Sequence, residues 1–247
     1  MNNLNHTIIN DIPLDERIIF ALDVADATEA RRLVELLRGE ISFFKVGLQL
    51  FLAGWWPVID FISERGCRVM VDLKFFDIPE TVALAVAELQ KHKVTFATIH
   101  GNDPIIRAAV ARKTGDMKLL AVTVLTSFDE SDMRDMGMTG SIADLVLLRA
   151  KKAIALGCDG VVSSGLEARG LRQNASGSFI IVTPGIRPGV NRDVIGTDDQ
   201  KRVATAREAI RNGADHVVIG RPIRDAKDPL AMARSIKEEI AQALAGR

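Results

Sequence analysis

Cysteine is nearly absent. Cys67 and Cys158 are the only two in 247 residues, too few for the disulfide framework of a secreted domain, and no zinc-type spacing accompanies them. Each stands in a glycine-containing turn before an apolar run, the setting of a buried thiol in a reducing cytosol. No apolar run approaches the roughly 20 residues of a membrane span. The opening MNNLNHTIINDIPLDER has neither the basic nor the apolar stretch of an export signal, so a cytoplasmic location is expected. Net charge is lacking too: 32 Lys and Arg balance 32 Asp and Glu. That excludes the broad positive field that holds nucleic acid or an anionic membrane, and any anion site must be local. Trp55 and Trp56 are expected to begin or flank a packed helix, and nothing near them suggests a platform for stacking bases.

No linker, low-complexity tract or charge block divides the chain. Its length suits one α/β barrel, and 47% hydrophobic residues supply a large core. Short β-rich runs alternate with longer segments of helical period throughout, the pattern of a parallel sheet with crossover helices. Eight strands are expected: Ile18–Asp23, Phe43–Gly47, Arg68–Leu73, Val94–His100, Leu119–Leu125, Gly160–Ser163, Phe179–Thr183 and His216–Gly220. Helical stretches include Thr28–Arg38, Pro79–His92, Ile142–Leu156, Lys201–Arg211 and Pro229–Ala243. Glycines at 66, 157 and 213 give repeated helix stops. Eight units favour a single-domain (β/α)8 TIM barrel, with an open doubly wound sheet as the alternative. The longest stretch without an obvious element, Pro184–Asp199, is either a functional loop or a surface excursion, and its place after strand seven favours function.

Barrel strands should be almost wholly apolar, so ionisable residues at their C-terminal ends are informative, because the active sites of this fold gather there. Asp23 ends IIFALD, Lys45 lies in FFKVG, and Asp72 and Lys74 lie in VMVDLKFFDIP. Positions two apart on a strand point the same way, so Asp72 and Lys74 share one face while Val71, Leu73 and Phe75 take the other. With the apolar side turned to the helices, both charges are expected in the barrel mouth, paired with each other and with Lys45 or Asp23 to offset desolvation. Asp77, just before Ile78-Pro79, reads by itself as a helix N-terminal residue.

A basic pair follows strands seven and eight: Gly185-Ile186-Arg187-Pro188 and Gly220-Arg221-Pro222. Loops at these positions often grip a phosphate, with glycines admitting backbone N–H groups and arginine binding bidentately. His100 in ATIHGND is either an acid/base or, as favoured here, a structural histidine. Thr126 and Ser127 either hold a substrate amide or complete a turn.

Asp72-Leu73-Lys74-Phe75-Phe76-Asp77-Ile78-Pro79 resembles the D-x-K-x-x-D-I-P signature of the orotidine 5'-monophosphate decarboxylase family. The likeness continues through ALD at Ala21–Asp23, KVG at Lys45–Gly47, VTVLTS at Val122–Ser127, TPGIRP at Thr183–Pro188 and VIGRPI at Val218–Ile223. It leaves residues 1–17 as an N-terminal extension and 18–247 as the barrel. The resemblance implies a cofactor-free and metal-free decarboxylation of orotidine 5'-monophosphate to uridine 5'-monophosphate in de novo pyrimidine synthesis. It implies an alternating network of Lys45, Asp72, Lys74 and Asp77, with Lys74 stabilising and protonating the C6 carbanion. Asp77, read above as a cap, would instead reach the neighbouring subunit's site in a homodimer, as would Thr81. Asp23 and Lys45 would contact ribose hydroxyls, Thr126 the pyrimidine, and Arg187, Gln200, Gly220 and Arg221 the phosphate, with Pro184–Asp199 as a lid.

Three other readings compete. A related sugar-phosphate decarboxylase or hexulose-phosphate synthase resembles a magnesium enzyme with an acidic residue where Lys45 stands, and an ammonium there repels a divalent cation. A Schiff-base aldolase needs a neutral lysine, which Asp72 beside Lys74 disfavours. A phosphate-ligand sensor would bind without turnover.

Overall fold

The computed structural model describes residues 12–189 and 201–246. Its strands are β1 (Ile18–Ala21), β2 (Phe43–Gly47), β3 (Arg68–Phe75), β4 (Phe96–Ile99), β5 (Lys118–Val122), β6 (Gly160–Val162), β7 (Ile180–Thr183) and β8 (His216–Ile219). Each pairs in parallel with the next, and β8 pairs with β1, closing the barrel. The expected eight strands are all present, and the open sheet is excluded.

Burial on both faces explains the near-continuous apolar character of the strands. Ile18, Phe20, Phe44, Val46, Val69 and Val71 face the surrounding helices in the larger core cluster. The alternate positions Ile19, Phe43, Met70, Phe96, Leu120, Val122, Val162, Ile180 and Val182 form a second cluster that fills the barrel. The interior is thus a plug of apolar side chains, and only the strand ends can carry chemistry.

The helices are α1 (Ala27–Leu37), α2 (Leu48–Glu64), α3 (Pro79–Leu89), α4 (Asp103–Arg112), α5 (Glu130–Asp135), α6 (Ile142–Ala155), α7 (Ala168–Asn174), α8 (Ala206–Arg211), α9 (Arg221–Arg224) and α10 (Pro229–Ala245). Gly157 and Gly213 adopt φ of 96° and 110° just past α6 and α8, a backbone that side chains resist, and so turn the chain into the next unit.

Two expectations are corrected. The stretch Lys201–Arg211 is helical only from Ala206: Thr205 and Glu208 form a capping box that fixes the start, and Ala204 instead bridges Ile186. Trp55 and Trp56 neither begin nor flank a helix but fall inside α2, which starts directly after β2 at Leu48 without a side-chain cap to announce it. Trp56 stacks on His92 with ring centroids 4.0 Å apart.

Cys67 and Cys158 are both buried free thiols. Burial pushes both thiols up, Cys158 to about 12, so neither is a reactive thiolate at neutral pH. At the opposite end from the charged strand ends, residues before β1 close the floor. The Arg17 guanidinium donates to the Asp215 carbonyl, and His216 lies edge-on to Phe43 and Phe96. His216 Nδ1 is 2.8 Å from the Glu16 carbonyl; because a carbonyl only accepts, Nδ1 carries the proton. Burial is the main cause that drives the His216 pKa down to about 4.

Candidate active site

The C-terminal strand ends surround a cavity of about 520 Å³. Three neighbouring strands put a row of alternating charge on its wall. Asp23 follows β1 by two residues, Lys45 is on β2, and Asp72 and Lys74 are on β3. Lys45 Nζ lies 3.0 Å from Asp23 Oδ1 and 3.7 Å from Asp72 Oδ2, and Lys74 Nζ lies 3.0 Å from Asp72 Oδ1. The β1–β2–β3 registers stagger these residues: Lys45 pairs with Ala21 and Met70, one layer below the Gly47–Asp72 pair, and its side chain reaches up to the two carboxylates. A Cβ on Gly47 would sit 3.0 Å from Lys45 Nζ and 3.3 Å from Asp23 Oδ1, so glycine leaves room for that ion pair.

Exposure is graded along the row. The side chains of Lys45 and Asp72 are 9% and 13% exposed, whereas Lys74 is 35% and Asp23 53% exposed. Lys74 is therefore the cation presented to the cavity, backed by a buried carboxylate. For Asp72, burial is the largest single influence and pushes the carboxyl up. The Lys45 and Lys74 ammoniums, with hydrogen bonds from Lys74 and Thr98, together outweigh it and hold the group below the ordinary aspartate range.

The cavity wall also includes Thr126, Arg187, Gly220 and Arg221. Thr126 is buried, and its carbonyl accepts from the amides of Lys201 and Arg202, which ties the β5 loop to the chain returning after β7. Gly220 lies close to β1: an added Cβ would be 3.2 Å from that of Ala21. Arg221 opens α9 directly after it. The two arginines and the four charged strand-end residues thus share one cavity.

Asp77 and Thr81 do not line it. Both are exposed near the start of α3. Asp77 Oδ1 accepts from the amide of Ile78 at 2.6 Å, and the α3 N-terminus has no side-chain cap, so the cap reading of Asp77 is replaced by a local turn contact. Gln200 and most of Pro184–Asp199 lie outside the described residues. His100 lies outside the lining, edge-on to Phe76; burial, then Arg149 and Lys74, lower its pKa.

Four further residues belong to the site's surroundings. Gln49, Ser163 and Arg224 line the cavity, and Thr98 hydrogen-bonds Asp72 from behind. Arg224 also donates to the Asp23 carbonyl, holding the β1 loop to α9. Its position one turn after Arg221 was a readable signal, as was the serine directly after β6. Thr98 looks like any β-branched strand residue.

A model of the orotidine 5'-phosphate decarboxylase / HUMPS family matches residues 16–236. The chain belongs to this family. The protein named orotidine 5'-phosphate decarboxylase from Methylococcus capsulatus is 52% identical over 230 residues, covering 93% of each chain. The one from Stenotrophomonas maltophilia is 48% identical over 235 residues, covering 94% of this chain and 96% of its own. Among solved structures, the orotidine 5'-phosphate decarboxylase of Lactobacillus acidophilus superposes with a TM-score of 0.78 at 34% identity, covering 91% of this chain and 99% of that one. The family match spans all eight strands and every charged residue described in the cavity wall.

Proposed function

We propose that this protein is an orotidine 5'-monophosphate decarboxylase that releases CO2 and uridine 5'-monophosphate in pyrimidine synthesis. The observation that carries the reading is the row Asp23, Lys45, Asp72, Lys74 at the cavity wall, in a chain of this family.

The chemistry needs little else. Cleaving the bond between C6 and the carboxylate leaves the electron pair on C6 as CO2 departs, and no organic electron sink is required if a fixed positive charge meets the developing carbanion. Lys74 supplies that charge and then its proton, forming the C6–H bond; the neutral amine regains a proton from solvent. Asp72, held ionised between two ammoniums, pairs with Lys74 and orients it. The catalytic benefit is assigned to this preorganised charge rather than to repulsion of the substrate carboxylate.

Asp23 and Lys45 are assigned to the ribose hydroxyls, Thr126 to the pyrimidine, and Arg187, Gln200, Gly220 and Arg221 to the phosphate. Binding of the remote phosphate then contributes to organising the reacting end. Neither a metal nor an organic cofactor takes part. The Lys45 ammonium lies between the two carboxylates that a divalent cation would otherwise use, which disfavours the magnesium-dependent sugar-phosphate reaction.

The active form is a cytoplasmic homodimer in which Asp77 and Thr81 enter the partner's site. Support comes from the exposed apolar side chains next to them in the chain, Phe76, Ile78 and Leu84, a group of the kind that subunit contacts cover. Residues 1–17 are assigned as an extension to the 18–247 catalytic barrel.

The test is the ultraviolet absorbance of orotidine 5'-monophosphate with purified protein, with the product identified as uridine 5'-monophosphate. Unchanged substrate, with turnover of a hexulose phosphate in magnesium instead, would overturn the assignment.

A further inference from the structure

The catalytic pair proposed above stands on an interruption of the barrel. Between β3 and β4, Met70 pairs with Phe96 and Val71 with Ala97, but the next pair is Phe75 with Ile99. Asp72, Leu73 and Lys74 therefore stand opposite Thr98 alone, and β3 bulges there. Lys74 adopts φ of 50°, the only non-glycine among the described residues with a positive value. That conformation is disfavoured for a lysine and persists only where its surroundings impose it.

Thr98 is fully buried, and its hydroxyl bridges both functional groups. It accepts from the Lys74 amide at 2.9 Å and donates to Asp72 Oδ1 at 2.9 Å. The directions are fixed by chemistry, since an amide N–H only donates and a carboxylate only accepts. One side chain thus replaces the ladder partner that the bulge denies to Lys74 and supplies a neutral donor to Asp72 Oδ1, beside the Lys74 ammonium.

We propose that Thr98 is a positioning residue for the reaction: its hydroxyl holds the Lys74 backbone in the left-handed bulge and locks the Asp72 carboxylate, so that the Lys74 ammonium meets the reacting carbon. The proposal rests on the decarboxylase reading. Thr98 is not part of the cavity wall, so it acts through Asp72 and Lys74 rather than by touching the substrate.

The test compares native protein with Thr98→Val, which keeps the shape and removes the hydroxyl, and Thr98→Ser, which keeps the hydroxyl. Thr98→Val lowers kcat about 10- to 100-fold, the scale of a small misplacement of a catalytic group. Its KM, and the Kd for uridine 5'-monophosphate, stay within about threefold because the phosphate and ribose contacts are intact. Thr98→Ser recovers kcat to within about threefold of native. Because the Thr98 hydrogen bond helps hold Asp72 low, the acid limb of kcat/KM moves to higher pH in the valine variant and not in the serine variant. Should the valine protein not fold, Thr98→Ala carries the same comparison. A native kcat in the hydroxyl-free variant, or a serine variant as impaired as valine, overturns the role. Native protein that leaves orotidine 5'-monophosphate unchanged overturns the decarboxylase reading itself, and the role with it.

Discussion

Asp72 Oδ1 accepts a hydrogen bond from the Lys74 ammonium at 3.0 Å, between residues two positions apart on one strand. Strand periodicity turns both side chains inward, and the bulge lets them converge at the cavity wall. On the far side Asp72 Oδ2 lies 3.7 Å from Lys45 Nζ, so one buried carboxylate stands between two ammoniums, and Lys45 also pairs with Asp23.

Replacing that carboxylate is expected to be costly. Asp72→Asn keeps the shape but leaves Lys45 and Lys74 without the charge between them. The Lys74 ammonium then loses the charged acceptor that orients it toward the cavity. A fall in kcat of about 100-fold or more is expected, with uridine 5'-monophosphate still bound. Steady-state kinetics with a binding titration check this, and a kcat within about twofold of native would contradict the role of Asp72.

Much of this was legible in the sequence, for identifiable reasons. The strands alternate with helical segments, and inward charges such as Lys45 break otherwise apolar runs, which exposes them to a reading of period and composition alone. The bulge was not legible, because it is a property of the β3–β4 register, a tertiary pairing that no local pattern encodes. Thr98 was missed for the same reason: in FATIH it fits a buried strand, and only its partners across the sheet give it significance. The start of α8 was missed although Thr205 and Glu208 spell a capping box, because apolar spacing alone extended the helix back to Lys201. Asp77 and Thr81 lie on the surface of the single chain, so their proposed role depends on a second subunit.

That role predicts complementation. Lys74→Ala and Asp77→Ala proteins, each inactive alone, are unfolded together and refolded. A mixed dimer contains one site with native Lys74 from one subunit and native Asp77 from the other. Random pairing therefore restores about a quarter of native activity. A mixture as inactive as its parents would mean that Asp77 does not act across subunits.

The phosphate assignment predicts a different signature. Arg221→Ala removes a charge-assisted contact worth about 1.5–3 kcal/mol, lowering kcat/KM about 10- to 100-fold for orotidine 5'-monophosphate. The nucleoside orotidine, lacking phosphate, loses turnover as well as affinity and is insensitive to the same substitution. An Arg221→Ala defect of equal size on both substrates, or an unchanged kcat for orotidine, would refute the assignment.

Far from the site, His216 predicts how stability depends on acid. Its pKa is about 4 in the fold and near 6.5 in the unfolded chain. Between these values the unfolded state binds a proton that the native state refuses. The stabilisation is complete above pH 6.5 and is lost as pH falls toward 4, about 3 kcal/mol in all. Urea unfolding across this window should show a shallower acid loss in His216→Gln, although that variant is less stable at pH 7. An identical slope in both proteins would contradict the buried neutral histidine.

The central claim is that a fixed ammonium, without metal or cofactor, carries the reaction. The most direct test follows decarboxylation of orotidine 5'-monophosphate by ultraviolet absorbance, with and without a chelator, beside a Lys74→Ala variant that still binds uridine 5'-monophosphate. The account predicts conversion undiminished by the chelator and reduced by more than about 1000-fold in the variant. Conversion abolished by the chelator, or surviving the loss of Lys74, would contradict it.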